Sequence, residues 1–233
     1  MGPLARGHWN VGAPGRMGMY KKYGKRLFDL AVSFIGLSLL ALPMGLVAAL
    51  VRMTSPGPAL FRQERVGRGG ARFTVRKFRT MSAGHGDPSP VTVRGDSRVT
   101  GVGRFLRRFK LDEYPQLWNV LVGEMSLVGP RPDVPGYYDR LGEEGRRILA
   151  MRPGITGPAT IKYANEEEIL AAQPDPVRYN DEVVFPDKVR INLEYMDGCT
   201  LGGDIGWIWK AVVAPLRNGT HEGGPKKGRR NER

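Results

Sequence analysis

Between Asp29 and Arg52 the chain runs for 22 residues without a charged side chain, most of them Leu, Ala, Val or Gly. No other stretch constrains the fold as much, because about 20 apolar residues at ~1.5 Å rise each suffice to cross a bilayer as a helix. Two features argue against a simple crossing. Pro43 sits near the middle, where a proline removes a backbone hydrogen bond and crowds the preceding turn. It leaves halves of about 13 and 8 residues, roughly 20 and 12 Å long, each too short to span alone. Basic residues also flank both ends: Lys21, Lys22, Lys25 and Arg26 before, and Arg52, Arg62, Arg65 and Arg68 after. Positive charge favours the cytoplasmic side, so the pattern predicts a re-entrant hairpin over 20–53, bent at Pro43. A kinked spanning helix and a buried core helix are the alternatives.

The 233-residue chain has room for one domain of ordinary size. A net charge of +13 calls for a polyanionic partner, and nucleic acid, anionic lipid and phosphorylated substrates all qualify. Cys199 is the single cysteine, which excludes an intrachain disulfide and a CxxC site, and His8, His85 and His221 are too scattered for a histidine-centred zinc site. Residues 1–19, rich in Gly, Pro and polar side chains, read as a disordered leader without a signal peptide; 218–233 read as a disordered basic tail. Between the hairpin and the tail lies a domain over 54–217.

Within that domain Phe61–Val66 and Phe73–Phe78 read as two strands joined at Gly67–Gly70. Residues 82–97 form a polar loop. Helices are predicted over Val102–Lys110 and Pro115–Val122, then around 137–151, 165–172 and 176–197. Ile205–Leu216, with Trp207, Trp209, Lys210 and Arg217, reads either as an interfacial amphipathic helix or as a packed terminal one. The fold class is therefore α+β and predominantly helical: a monotopic membrane protein with a helix-break-helix hairpin, a small β element and interfacial helices.

The residues able to do chemistry cluster in three places. In RRFKLDEYPQLWN over 107–119, Asp112 and Glu113 fall just ahead of a helix opened by Pro115, with Arg107, Arg108 and Lys110 immediately upstream. Those surroundings are expected to keep both carboxylates ionised, and they gather positive charge beside oxygens able to hold Mg²⁺. Read alone, acidic residues at this position are more often caps. In GEMSLVGPRP over 123–132, two prolines bracket Arg131 and stiffen the backbone that presents its guanidinium, as they would in any rigid turn. In RKFRTM over 76–81, Lys77 and Arg79 either face an anion or line a wet strand face. The RPGITG turn over 152–157 can offer backbone amides to a phosphate, although neither GxGxxG nor GxxxxGK[ST] occurs.

Taken together, KRLFDL over 25–30, Pro43, FRQERVG over 61–67, KFRTM over 77–81, LDEYPQLWNVLVGEMSLVGPRP over 111–132 and RPGITG over 152–157 resemble the bacterial sugar transferase family. These are small monotopic phosphoglycosyl transferases that initiate glycoconjugate and exopolysaccharide synthesis. The resemblance covers about residues 20–215 in order. It implies that Asp112 is a nucleophile on the β-phosphate of a UDP-sugar, releasing UMP and forming an acyl-phosphate that polyprenyl (undecaprenyl) phosphate then attacks. It implies Mg²⁺ held by Asp112 and Glu113, phosphate binding by Arg107 and Arg131, with Lys77 and Arg79 as weaker candidates, and a hairpin defined by Asp29 and Pro43. Asp29 is expected to anchor the hairpin base with Lys25 or Arg26. Anionic lipids are expected partners, nucleic acid is not, and a homo-oligomer is left open. The expected location is the cytoplasmic face of the bacterial inner membrane. Leu42 stands where many members have serine, and GPATIKYANEEEIL over 157–170 departs from the usual tryptophan-containing continuation. The rival reading from another class, a non-catalytic membrane-tethered basic protein, explains the charge and the apolar segment but not the Asp-Glu block.

Overall fold

The computed structural model describes residues 19–82, 98–138 and 141–218. The expected leader, polar loop and basic tail fall almost wholly outside these. Helix α1 (Lys25–Thr54) opens from a π-helical turn over Tyr20–Gly24 and contains Pro43. Two helices meeting at a break were expected; the backbone instead runs as one helix through the proline. The missing Pro43 N–H removes a single rung of the ladder, and in apolar surroundings every other backbone group still has to be paired within the helix. The helix is long and apolar enough to cross a membrane by length and composition. Leu27, Phe34, Ile35, Leu39, Leu42, Leu46, Leu50 and Met53 are exposed along it.

Its two ends dock on the same domain. Near the start, Asp29 Oδ1 accepts from the Leu127 N–H at 3.0 Å, and Arg26 donates to the carbonyls of Val120 and Leu121 at 2.6 and 3.0 Å. Near the end, Val51 is buried against Phe78 and Leu106. Lys25 does not pair with Asp29; its ammonium bonds Asp204 Oδ2 at 2.6 Å. A lysine buried beside an aspartate 179 residues away leaves Asp29 to satisfy a backbone amide instead.

Strands β1 (Leu60–Val66) and β2 (Arg72–Phe78) form the expected antiparallel hairpin, with Phe73, Val75 and Phe78 turned inward. Gly69 and Gly70 take φ of 68° and 82° in the connecting turn, which other residues rarely adopt. Helix α2 (Gly101–Arg108), capped by the Thr100 hydroxyl, leads through the turn Leu111–Glu113 to α3 (Gln116–Val122). Two strands of three residues, β3 (Ser126–Val128) and β4 (Gly154–Thr156), pair in parallel and were not foreseen. Among the described residues, the helix expected around 137–151 is seen as α4 (Glu143–Arg146) and a 3₁₀ turn over Arg147–Ala150, with Gly142 just ahead of them. After α5 (Pro158–Lys162) and α6 (Glu166–Ala171), the run expected over 176–197 is helical throughout: α7 (Pro176–Tyr179), a π turn over Asn180–Val184, and α8 (Phe185–Asp197). Val189 and Leu193 of α8 join Val120, Met125 and Val128 at the centre of the core. Helix α9 (Leu201–Asn218) buries Asp204 and exposes Leu201, Ile205, Trp209 and Val212, a stripe at helical spacing.

Candidate active site

The Asp-Glu pair owes its position to a reversal of the chain between two helices. Lys110 adopts a left-handed conformation (φ 56°, ψ 19°), a strained choice for a side chain with a Cβ, and ends α2 abruptly. The chain re-enters helical geometry at once, so Asp112 and Glu113 occupy the 3₁₀ turn ahead of α3, and Pro115 starts α3 without needing a donor. Both carboxylates are buried. Asn119 fixes α3 against β2: its amide donates to the Thr74 carbonyl at 2.8 Å and to Glu124 at 2.6 Å, and its oxygen accepts from the Arg76 N–H at 3.2 Å. That contact sets the strand position that carries Lys77.

Glu113 is held by two cations. Its Oε1 accepts from Lys77 Nζ at 2.8 Å and from Arg131 Nη2 at 2.7 Å. Burial alone would raise its carboxyl, but the charges of Arg131 and Lys77 outweigh it and hold Glu113 well below the usual carboxylate range. Burial pushes Lys77 down, and Glu113 pulls it back only partly; the Glu113 charge moves Arg131 upward. Asp112 behaves oppositely. Burial first, and then the neighbouring Glu113 charge, raise its carboxyl above the ordinary aspartate value, against the pull of Lys77, Lys110 and Arg107. The two carboxylates are therefore shifted in opposite directions, although the same cations lie near both. Asp112 has no hydrogen-bond partner among the described residues, and its Oδ1 is buried.

Arg131 sits on a platform braced from two sides. Gly129 N–H donates to Thr156 O at 2.9 Å and Gly154 N–H to Pro130 O at 2.7 Å, so the GPRP and RPGITG segments lie across each other. A Cβ at Gly154 would overlap the Gly129 backbone nitrogen, which explains the glycines at the crossing. The Gly154 amide is thus committed to Pro130 and is not offered to a phosphate. From the other side Val66 N–H donates to Asp133 O at 3.0 Å, and Arg65 donates to Pro132 O at 3.2 Å.

Arg107 reaches the rim of the site from α2. Its Nε donates to Thr80 Oγ1 at 2.9 Å and its Nη1 lies 3.7 Å from Glu167. Arg79, the other expected phosphate ligand, is directed elsewhere. Its guanidinium donates to the carbonyls of Ser55 and Pro56 and to the Ser55 hydroxyl, clamping the exit of α1 to the end of β2. A buried guanidinium with those partners is a structural clamp. Asp29 and Pro43 lie on α1, apart from this cluster.

Several neighbours had no signal in the sequence strong enough to find them. Glu166 bonds Lys188 through both oxygens at 2.6 and 2.7 Å and adds its charge to the surroundings of Arg131. Arg65 was visible only as a basic flank of the apolar segment and inside the FRQERVG match. As for a metal, no group of three His, Cys, Asp or Glu side chains gathers among the described residues. The unpartnered Asp112 oxygen beside Glu113 nevertheless fits a hard divalent cation, because Mg²⁺ characteristically takes one or two carboxylates and completes its shell with substrate phosphates and water.

Comparison with known proteins identifies the family. The family model described as bacterial sugar transferase matches residues 20–218. A UDP-glucose:undecaprenyl-phosphate glucose-1-phosphate transferase from Caulobacter vibrioides is 48% identical over 144 residues, covering 59% of this chain and 53% of the relative. A UDP-N-acetylgalactosamine-undecaprenyl-phosphate N-acetylgalactosaminephosphotransferase from Aeromonas hydrophila is 35% identical over 194 residues, 81% of this chain and 42% of the relative. The exopolysaccharide production protein PSS of Rhizobium leguminosarum is 44% identical over 59% of this chain and 73% of its own length. The chain thus spans about half the length of the first two relatives.

Proposed function

We propose, from the premise that this chain belongs to the bacterial sugar transferase family, that it transfers a sugar-1-phosphate from a UDP-sugar to polyprenyl phosphate at the cytoplasmic face of the membrane. The observation that carries the reading is the contrast within the dyad: Glu113 is locked between Lys77 and Arg131, while Asp112, buried beside it, has no hydrogen-bond partner among the described residues.

Asp112 acts as the nucleophile. One carboxylate oxygen forms a bond to the β-phosphorus of the UDP-sugar, the bond from that phosphorus to the bridging oxygen breaks, and UMP leaves with the electron pair. The aspartyl phospho-sugar that remains is attacked by an oxygen of polyprenyl phosphate, which releases the carboxylate and yields polyprenyl diphospho-sugar. Dividing the transfer in this way keeps the two anionic substrates from having to meet directly. Arg131 and Arg107 bind phosphoryl oxygens, and the Arg107 guanidinium leaves Glu167 for the donor. Glu113 holds Lys77 and Arg131 in place. Mg²⁺, held by Asp112 with Glu113 beside it, supplies charge neutralisation for the diphosphate when bound.

The membrane completes the arrangement. Helix α1, helical through Pro43, keeps both its ends on the cytoplasmic side, and α9 lies in the interface. Docking of both ends of α1 on one domain supports this topology, since a spanning helix would hold its ends on opposite sides. Carrier and enzyme then share a surface, and basic residues favour anionic lipids. Cysteine labelling at residue 19 and residue 90 is expected to report the same side.

The decisive experiment incubates the protein with labelled UDP-glucose or UDP-N-acetylgalactosamine without carrier. Mg²⁺-dependent UMP release and a labelled protein are expected, both absent in Asp112→Asn. A fully active Asp112→Asn would overturn the nucleophile, and carrier-dependent release without a labelled protein would mean direct transfer with Asp112 as a metal ligand only.

A further inference from the structure

Asp112, Gln116 and Asn119 fall at i, i+4 and i+7 along one helical run, since Tyr114 and Pro115 between them keep helical angles. That spacing puts the three side chains on one face, the face Asn119 turns to β2. They differ in what satisfies them. Asn119 is fully engaged by Thr74, Arg76 and Glu124. Gln116, 2% exposed, carries a side-chain Nε2 that is buried and has no acceptor among the described residues. Asp112 Oδ1 is in the same condition one turn earlier.

A buried amide N–H without a partner costs about 1–3 kcal/mol, and native proteins rarely keep one unless something outside the chain satisfies it. An orphaned donor and an orphaned acceptor, one turn apart and not bonded to each other, are what one ligand group lying between them would satisfy. That group has to accept from an amide while standing at the Asp112 carboxylate. The apolar positions of the same helix do not compete for this role: Leu117 packs towards Gly36 of α1, and Val120 belongs to the core.

We infer that Gln116 is a further catalytic residue, its carboxamide donating a hydrogen bond to a non-bridging oxygen of the phosphoryl group that moves onto and off Asp112. The inference rests on the proposed transferase reading and extends it. No proton changes hands. The amide stays neutral and holds the oxygen while the Asp112–phosphorus bond forms and the bond to UMP breaks, so its effect is larger on the rate of transfer than on donor affinity. A neutral donor suits a position where Lys77, Arg107, Lys110 and Arg131 already supply the charge.

The test uses the full chain in native membranes or nanodiscs, with Gln116→Met, which keeps the shape and removes the donor, and Gln116→Glu, which replaces the donor by an acceptor. Formation of the labelled protein from UDP-glucose or UDP-N-acetylgalactosamine is followed in a single turnover, alongside donor KM and thermal melting. The expected result is a fall of about 10- to 100-fold in the transfer rate for both variants, with donor KM changed less than about 3-fold and the Gln116→Met melting temperature equal to or above wild type. Unchanged transfer in Gln116→Met overturns the assignment. So does a marked drop in its melting temperature, which would make the amide a structural partner. Absence of turnover by the wild-type chain with any UDP-sugar would instead sink the transferase reading itself.

Discussion

At the scale of single residues, the two carboxylates of the dyad carry opposite energetic signs. Asp112 is raised above its unfolded value by burial, so its ionised form opposes folding. The penalty is absent below the unfolded pKa of ~3.9 and grows as pH rises through the window up to the folded value. Asp112→Asn is therefore expected to abolish transfer while raising the melting temperature at pH 7 by at least about 2 °C, and the gain should vanish near pH 4. Differential scanning fluorimetry across pH checks this; a variant less stable than wild type at pH 7 contradicts it. Glu113 lies on the other side. Its depressed pKa contributes stability above the unfolded value of ~4.3, lost as pH falls through the folded one. Glu113→Gln leaves Lys77 and Arg131 without their shared partner. A cost of about 2–3 kcal/mol is expected in denaturant melts, below the figure for fully buried pairs because Arg131 is partly solvated. The identity of the dyad was legible from LDEYP, but the division of labour was not. Sequence shows which charges are near in the chain, whereas Lys77 and Arg131 reach Glu113 from a strand and a loop 36 and 18 residues away.

Among the elements, periodicity served where an element is long. The 176–197 helical run and the 60–78 hairpin carry enough alternation or helical repeat to be read directly. Three-residue strands carry none, so β3 and β4 were invisible, and with them the crossing that braces Arg131. The glycines of GPRP and RPGITG were noticed as turns, although their common purpose is to let two backbones touch. Arg79 shows the converse error. A basic residue on a strand that also supplies Lys77 suggested a phosphate ligand, yet its three bonds to residues 55 and 56 tie the end of α1 to β2. Arg79→Lys cannot reproduce that fork of contacts. A loss of about 2 kcal/mol in stability is expected, with donor KM unchanged in the folded fraction; a selective rise in KM at undiminished stability would return Arg79 to the binding site.

For the whole molecule, α1 and α9 each present an exposed apolar surface. Leu201, Ile205, Trp209 and Val212 form a stripe with no cover among the described residues, while Lys210 lies 4.2 Å over the Trp207 ring. Trp209→Glu is expected to reduce retention on vesicles of anionic lipid by about 10-fold after α1 has been loosened with mild detergent, with a further loss as salt rises. Equal retention of variant and wild type would assign the stripe to another contact.

The bond between Lys25 and Asp204 also imposes an order of events. A ribosome completes α1 long before it reaches α9, so the ammonium at the base of the membrane helix has to wait through 178 intervening residues for its carboxylate. During that interval the helix can seek the lipid with its apolar face while its buried end is still unneutralised and open to water. Closure of the pair comes only once the catalytic segment between them has been made. The contact therefore closes only after the whole segment between its partners exists, and it ties the start of α1 to α9.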